Sequence, residues 1–223
     1  MSPPLELLLL GLALGVRHAT DADHVVAVSA IASRERSVPR AVLIGVSWGL
    51  GHALSVLCAG GAIVLLGIVV PPRLGLGLEL SVGVILVALG LANLLGASKQ
   101  HSHAGAPNVA GSVVGLFKPL GVGVAHGLAG SAAVALLVLA SIHDARSALY
   151  YLAVFGFGTL LGMVGLTSAL AFPVAYAARR FERAHWALSR VAGLLSVAFG
   201  LLLVYRIGFI DGFFTSAPQF HPE

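Results

Sequence analysis

Charge is what this sequence has least of. Only 10% of its 223 residues are Asp, Glu, Lys or Arg, where a soluble domain carries about 25%. Hydrophobic types make up 58%. That balance excludes an ordinary soluble domain and predicts a polytopic integral membrane protein. Cysteine is almost missing as well. The single Cys58 excludes an internal disulfide and any multi-thiolate metal site. The start, "MSPPLELLLLGLALG", lacks the basic n-region of a cleavable signal peptide. Alternating apolar and polar residues are missing too, which argues against a membrane barrel. The formal charge of +4 sits in loops, so it reports membrane orientation rather than nucleic-acid binding.

What is present is long apolar runs. They cover about 5–32, 41–70, 77–97, 113–142, 147–177 and 186–209. Each is long enough to cross a bilayer, which needs about 20 residues. The fold class expected is all-α, with about six transmembrane helices. Arg34, Arg36, Arg40, Lys99, Lys118, Arg179, Arg180, Arg183 and Arg190 fall on one side, against Arg73, Arg146 and Arg206 on the other. The positive-inside rule then places both termini of this multi-pass protein outside the cytoplasm.

The chain also resembles itself. "GVRHATDADHVVAVSAI" at 15 is echoed by "GVAHGLAGSAAVALLVLASI" at 123. "SWGLGHALS" at 47 is echoed by "VFGFGTLLG" at 154, and "SVGVILVALGLANLL" at 81 by "VAGLLSVAFGLLLVY" at 191. The offset stays close to 108 residues. Three spans per copy force the copies into opposite orientation, the inverted-repeat plan of secondary transporters. The division expected is a first three-helix repeat over 1–97, a cytoplasmic linker over 98–112, and a second repeat with a tail over 113–223. The pairs Gly45/Gly49, Gly123/Gly127 and Gly158/Gly162 read as close helix packing. Asn93 and Ser47 could line a path or pack helices.

Against this apolar background, Arg17, His18, Asp21, Asp23 and His24 stand within eight positions of the first run. Each charge at the bilayer centre costs about 2.5–3.5 kcal/mol on insertion scales, too much for incidental packing. Arg17 and Asp21, four apart, are expected to pair along the helix. At about 100° per residue, His18, Asp21 and His24 share one face of a regular helix. Asp23 joins them only if the helix is unwound, which Gly11 and Gly15 would permit. Two imidazoles with carboxylates suit a borderline divalent cation such as Ni²⁺, Co²⁺ or Zn²⁺. Further ligands are expected from His52 in the second run and His126 in the fourth. The second copy keeps the histidine at 126 but drops the rest: Asp23 aligns with Ser131, His24 with Ala132 and His52 with Thr159. The candidate metal set is therefore His18, Asp21, Asp23, His24, His52 and His126. His101 and His103 read as a solvated loop, and His143, Asp144, His185 and His221 as interfacial or exposed.

"RHATDADHV" resembles the signature H-x-x-x-x-D-H of the nickel/cobalt transporter family. "SWGLGHALSVL" resembles that family's next helix, with its Gly-His pair. "AHGLAGSAAV" resembles the short members linked to urease maturation, the urease-accessory nickel permeases. The resemblance implies a permease moving Ni²⁺ or Co²⁺ across the cytoplasmic membrane, with His18, Asp23 and His24 essential and Asp21 and His52 close by. It implies no cofactor, the metal ion being cargo, and urease or hydrogenase maturation proteins as downstream partners. Two features depart from the larger members: about six spans instead of eight, and "HGLAGSAA" where they carry an acidic Leu-Gly-x-Asp-Thr-Ala stretch.

Two other readings compete. His18 and Asp23 have the H-x-x-x-x-D spacing of membrane acyltransferases, in which the carboxylate orients a general base. An anion exporter could share the repeat topology, but carboxylates disfavour an anion site.

Overall fold

The computed structural model describes residues 5–35, 37–67, 70–96, 109–129, 141–142 and 144–215. Among them every element is helical. The helices are α1 (Leu5–His18), α2 (Ala22–Ala32), α3 (Val38–Leu66), α4 (Pro72–Gly96), α5 (Val109–Leu128), α6 (Ala145–Arg180) and α7 (Glu182–Tyr205). A π-helical turn, Arg206–Ile210, prolongs α7. Four stretches are long and apolar enough to cross a membrane: Val38–Leu66, Pro72–Leu95, Ala145–Tyr176 and Arg183–Ile210. Their outer faces carry exposed Leu54, Leu65, Leu91, Leu161, Leu195 and Leu202, side chains suited to a lipid surface. The expected linker histidines His101 and His103, and also His143 and His221, lie outside the described residues.

Helix ends follow local chemistry. Gly67 closes α3 in the left-handed region (φ 63°), its N–H returning to the Ile63 carbonyl, a conformation that costs glycine nothing. Asp144 opens α6: its carboxylate accepts bonds from the Ser147 N–H at 2.9 Å and the Ser147 hydroxyl at 2.8 Å. The bond from the Ser147 backbone, foremost, holds the exposed Asp144 carboxyl below the usual carboxylate range. This cap is intact at neutral pH and is lost as acid protonates Asp144.

The helices pair closely: α3 with α6 and with α5, α4 with α7, and α1 with α6. Glycines let the backbones meet. A Cβ on Gly15 of α1 would strike the Phe155 carbonyl of α6, and one on Gly123 of α5 would strike the Trp48 carbonyl of α3. Gly51 presses on the Leu120 carbonyl, and Gly158 on the Leu12 carbonyl. On α4 and α7, Gly83 faces Gly200, and Gly90 faces Gly193. Polar side chains reinforce the packing. Ser196 donates to the Leu86 carbonyl at 2.7 Å, Ser47 to the Leu116 carbonyl at 2.6 Å, and Asn93 to the Ala30 carbonyl at 2.6 Å. Asn93 and Ser47 therefore join helices.

The α4–α7 contact predicts a stability effect. A Cβ at Gly90 would sit 2.6 Å from the Gly193 carbonyl oxygen and 2.7 Å from the Val197 nitrogen. Both obstacles are backbone and cannot rotate away. Gly90→Ala is expected to destabilise the protein by about 1–3 kcal/mol, seen as a lower thermal unfolding midpoint in detergent.

Candidate metal centre

The first apolar run is not one helix. α1 stops at His18, and Asp21 takes an extended conformation (φ −62°, ψ 151°) before α2 begins. The turn is held by Thr20 N–H to the Arg17 carbonyl at 2.8 Å and Asp21 N–H to the His18 carbonyl at 3.0 Å. An aspartate at this position normally caps the helix that follows, worth about 1 kcal/mol. Here its side chain makes no cap bond. It accepts the His18 Nδ1–H at 2.7 Å instead. The cap is given up to orient an imidazole.

A second carboxylate repeats the arrangement. Asp23, in the first turn of α2, accepts the His24 Nδ1–H at 3.1 Å. Ionised carboxylates only accept, so each histidine carries its proton on Nδ1 and turns an Nε2 lone pair inward. Carboxylate–imidazole pairs of this kind fix tautomer and ring orientation at metal sites.

His52 comes from the middle of α3. His18, His24 and His52 are all buried, and their ligand nitrogens lie within 4.8 Å of one another. The His18 and His52 Nε2 atoms approach to 3.2 Å. Metal–imidazole bonds of about 2.0–2.1 Å at 90–110° put neighbouring nitrogens about 3–3.4 Å apart. The His18–His52 edge already has that length. The His24 ring meets His18 at 4.8 Å and His52 at 5.1 Å between centroids. Small rotations would draw the third nitrogen in. The arrangement can hold one borderline divalent cation on three imidazoles, with two carboxylates behind them to balance its charge.

His126, near the end of α5, stands beside this group rather than within it. Its ring meets His24 at 5.4 Å and Trp48 at 5.1 Å. Among the described residues it makes no ring contact with His18 or His52. Glycines beside the histidines set these positions. A Cβ on Gly127 would lie 2.7 Å from the His52 carbonyl oxygen, and Gly51 admits α5 next to His52.

The chain is 36% identical over 218 residues to the urease accessory protein UreH of Bacillus sp. (strain TB-90), covering 94% of this chain and 95% of that one. The chain belongs to the UreH family. No protein-family model matches it. No solved structure matches it either. Membership of the UreH family agrees with the resemblance of "AHGLAGSAAV" to urease-accessory permeases, and it attaches the chain to an accessory protein of an enzyme rather than to an enzyme.

In this UreH-family chain some sequence expectations change. The Arg17–Asp21 pair is not made: Arg17 is exposed, and Asp21 pairs with His18. Asp23 turns inward to 16% exposure, whereas Asp21 stays 41% exposed. His18 and Asp23 do not form the general-base pair of an acyltransferase, because each has a different partner. His185, expected to be interfacial or exposed, is buried. Two residues escaped the reading altogether. Trp48 is buried against His24 and His126, and Phe155 lies 5.5 Å from the His18 ring. Both sit at matching positions of "SWGLGHALS" and "VFGFGTLLG", a signal that was available.

Proposed function

We propose that the protein is a permease for a divalent transition-metal cation, Ni²⁺ foremost, held within the membrane by His18, His24 and His52. Asp21 and Asp23 orient the imidazoles and balance the charge. The observation that carries the reading is the convergence of three buried histidines, two of them bonded through Nδ1 to carboxylates. All-imidazole donors suit nickel and its neighbours and disfavour magnesium or calcium. The site lies where a helix is interrupted, as substrate sites of secondary transporters do. Urease is the enzyme named by the similar protein, so urease maturation is the proposed destination of the ion. Cobalt shares the same ligand chemistry and is the second cargo proposed.

The transport scaffold in this proposal is two inverted three-helix repeats, 1–97 and 113–223, in the cytoplasmic membrane with both termini outside. Exchange of contacts supports it. Sequence alignment of the halves matches Gly15 with Gly123 and Trp48 with Phe155. The contact of Gly15 with Phe155 then becomes that of Gly123 with Trp48. Gly51 on Leu120 becomes Gly158 on Leu12, and Gly83 on Gly200 becomes Gly193 on Gly90. The ring contact of Trp48 with His126 becomes that of Phe155 with His18. A pseudo-twofold axis through the helix bundle accounts for all four. Rocking one repeat against the other would expose the site to each side in turn.

Flux in liposomes tests the permease. The reconstituted protein is expected to move Ni²⁺ or Co²⁺, and His18→Ala and His52→Ala should each lower the rate by about 100-fold or more, as loss of a ligand exceeds the 10–100-fold typical of second-shell losses. Wild-type flux retained in both variants would sink the site.

A further inference from the structure

His24 is the one histidine whose ring meets all three others, at 4.8, 5.1 and 5.4 Å. His126 meets His24 alone among them. The rings of His18, His24 and His52 therefore form a triangle, and His126 joins it through His24. We propose that His24 and His126 form a second cation station. The ion passes to it from the His18–His24–His52 station by exchanging ligands while His24 stays bound. This rests on the permease reading above and adds to it a step between two places.

The hydrogen bonding of His126 supports the assignment. Its Nδ1–H donates to the Val122 carbonyl at 3.1 Å, one turn back on α5. That bond fixes the tautomer and leaves a lone pair on Nε2. Among the described residues the buried Nε2 atom has no hydrogen-bond partner, and the same holds for Nε2 of His24. A buried polar atom without a partner costs about 1–3 kcal/mol. Two such atoms on neighbouring rings, both as lone pairs, repel each other unless a cation lies between them, and a site built of imidazoles suits a borderline metal ion. Packing alone would be served better by an apolar ring. Asp23, behind His24, supplies negative charge to either station.

The position of the pair gives the step a direction. His24 belongs to the first half of the chain, and His126 to α5 in the second. Trp48 packs on both rings, at 6.4 and 5.1 Å. The same indole lines a narrow crevice with Val28, Ile31, Ile44 and Thr167, toward the end of α2. A cation moved onto His126 has left the part-exposed Asp21 and come to the indole that lines this crevice. Two stations also ease release. A cation held by two imidazoles has fewer bonds to break than one held by three.

Binding and flux, measured on the same variants, test the second station. His126→Asn keeps a donor for the Val122 carbonyl and removes the Nε2 lone pair. His126→Ala removes both. Ni²⁺ affinity is measured by calorimetry on full-length protein in detergent, and Ni²⁺ flux in proteoliposomes. Both variants are expected to bind Ni²⁺ within about threefold of wild type, a difference under 1 kcal/mol, and to lose at least about tenfold in flux. Retained affinity reports that the variant is folded. Should His126→Asn lose affinity as severely as His18→Ala, His126 is a ligand of one four-histidine site, and the second station is wrong while the permease stands. Unchanged flux in both variants also overturns it. A wild-type protein that neither binds nor moves Ni²⁺ ends both proposals together.

Discussion

Replacing His24 by alanine is expected to remove transport and to lower metal affinity by more than any other single change at the centre, about 100-fold or beyond, given that even outer-shell losses reach 10–100-fold. The expectation follows from position. His24 is fully buried, its Nε2 has no hydrogen-bond partner among the described residues, and its ring meets those of His18, His52 and His126. Removing His18 leaves His24 and His52 to share the ion, and removing His126 leaves all three first-station ligands. Removing His24 leaves His18 and His52, already in contact through one 3.2 Å edge, with nothing opposite them.

Alanine at 24 also strips Asp23 of the Nδ1–H it accepts. A partly buried carboxylate left without a donor costs about 1–3 kcal/mol, so the variant should be less stable as well as inactive. His24→Asn separates the two effects, because the amide can still donate to Asp23 but brings no imidazole lone pair. The measurement is Ni²⁺ affinity beside the thermal midpoint. Asparagine should restore the midpoint and not the affinity. Affinity restored by asparagine would mean that the His24 ring serves packing, and the ligand set would have to be drawn without it.

The helical character of the chain was legible because it depends on little: long apolar runs and few charges leave no other fold class. The boundaries of α3, α4 and α6 follow the apolar runs closely. The break in the first run was not legible by angular arithmetic, which assumes a regular helix through 18–24. Once Asp21 leaves the helix, the four-residue spacing from Arg17 no longer brings the two side chains together, and the pair is lost. The sequence did hold a clue in Thr20 and Asp21, residue types that start helices and rarely continue them. His18 and His24 meet in spite of the break, across the turn at 19–21 that joins α1 to α2.

The histidines from other helices were nameable as candidates but not placeable. Nothing in "GLGHALS" says that His52 faces His18, or that the His126 ring meets His24 and not the rings of His18 and His52. Those facts come from α3 and α5 meeting at Gly51, Gly123 and Gly127, a contact between segments about seventy residues apart. The carboxylates illustrate the same limit from the other side. Sequence chemistry nominated Asp21 and Asp23 as ligands because carboxylates bind metals. The structure gives each a histidine Nδ1–H to accept, and in the proposed site that bond sets them behind the nitrogens that hold the ion.

That difference yields the second large effect. Asp23→Asn is expected to weaken Ni²⁺ binding by about 10–100-fold, and Asp21→Asn by less. Both asparagines keep an oxygen able to accept the imidazole N–H, so orientation survives in part. What is lost is charge. Three neutral imidazoles leave a divalent cation uncompensated, and a carboxylate one residue behind them offsets it by several kcal/mol at an effective dielectric of about 20. Asp23 is 16% exposed and Asp21 41%, so solvent screens Asp21 more. Affinity alone cannot tell an orienting carboxylate from a ligand, because both losses weaken binding. The visible spectrum of bound Co²⁺ can. If Asp23 stands behind His24, Asp23→Asn lowers affinity while the cobalt bands keep their positions, the donor atoms being the same imidazole nitrogens. If Asp23 binds the ion directly, exchanging carboxylate for amide changes the ligand field and the bands move. A shifted spectrum in Asp23→Asn would return Asp23 to the ligand set and leave Asp21 as the one carboxylate that acts through a histidine.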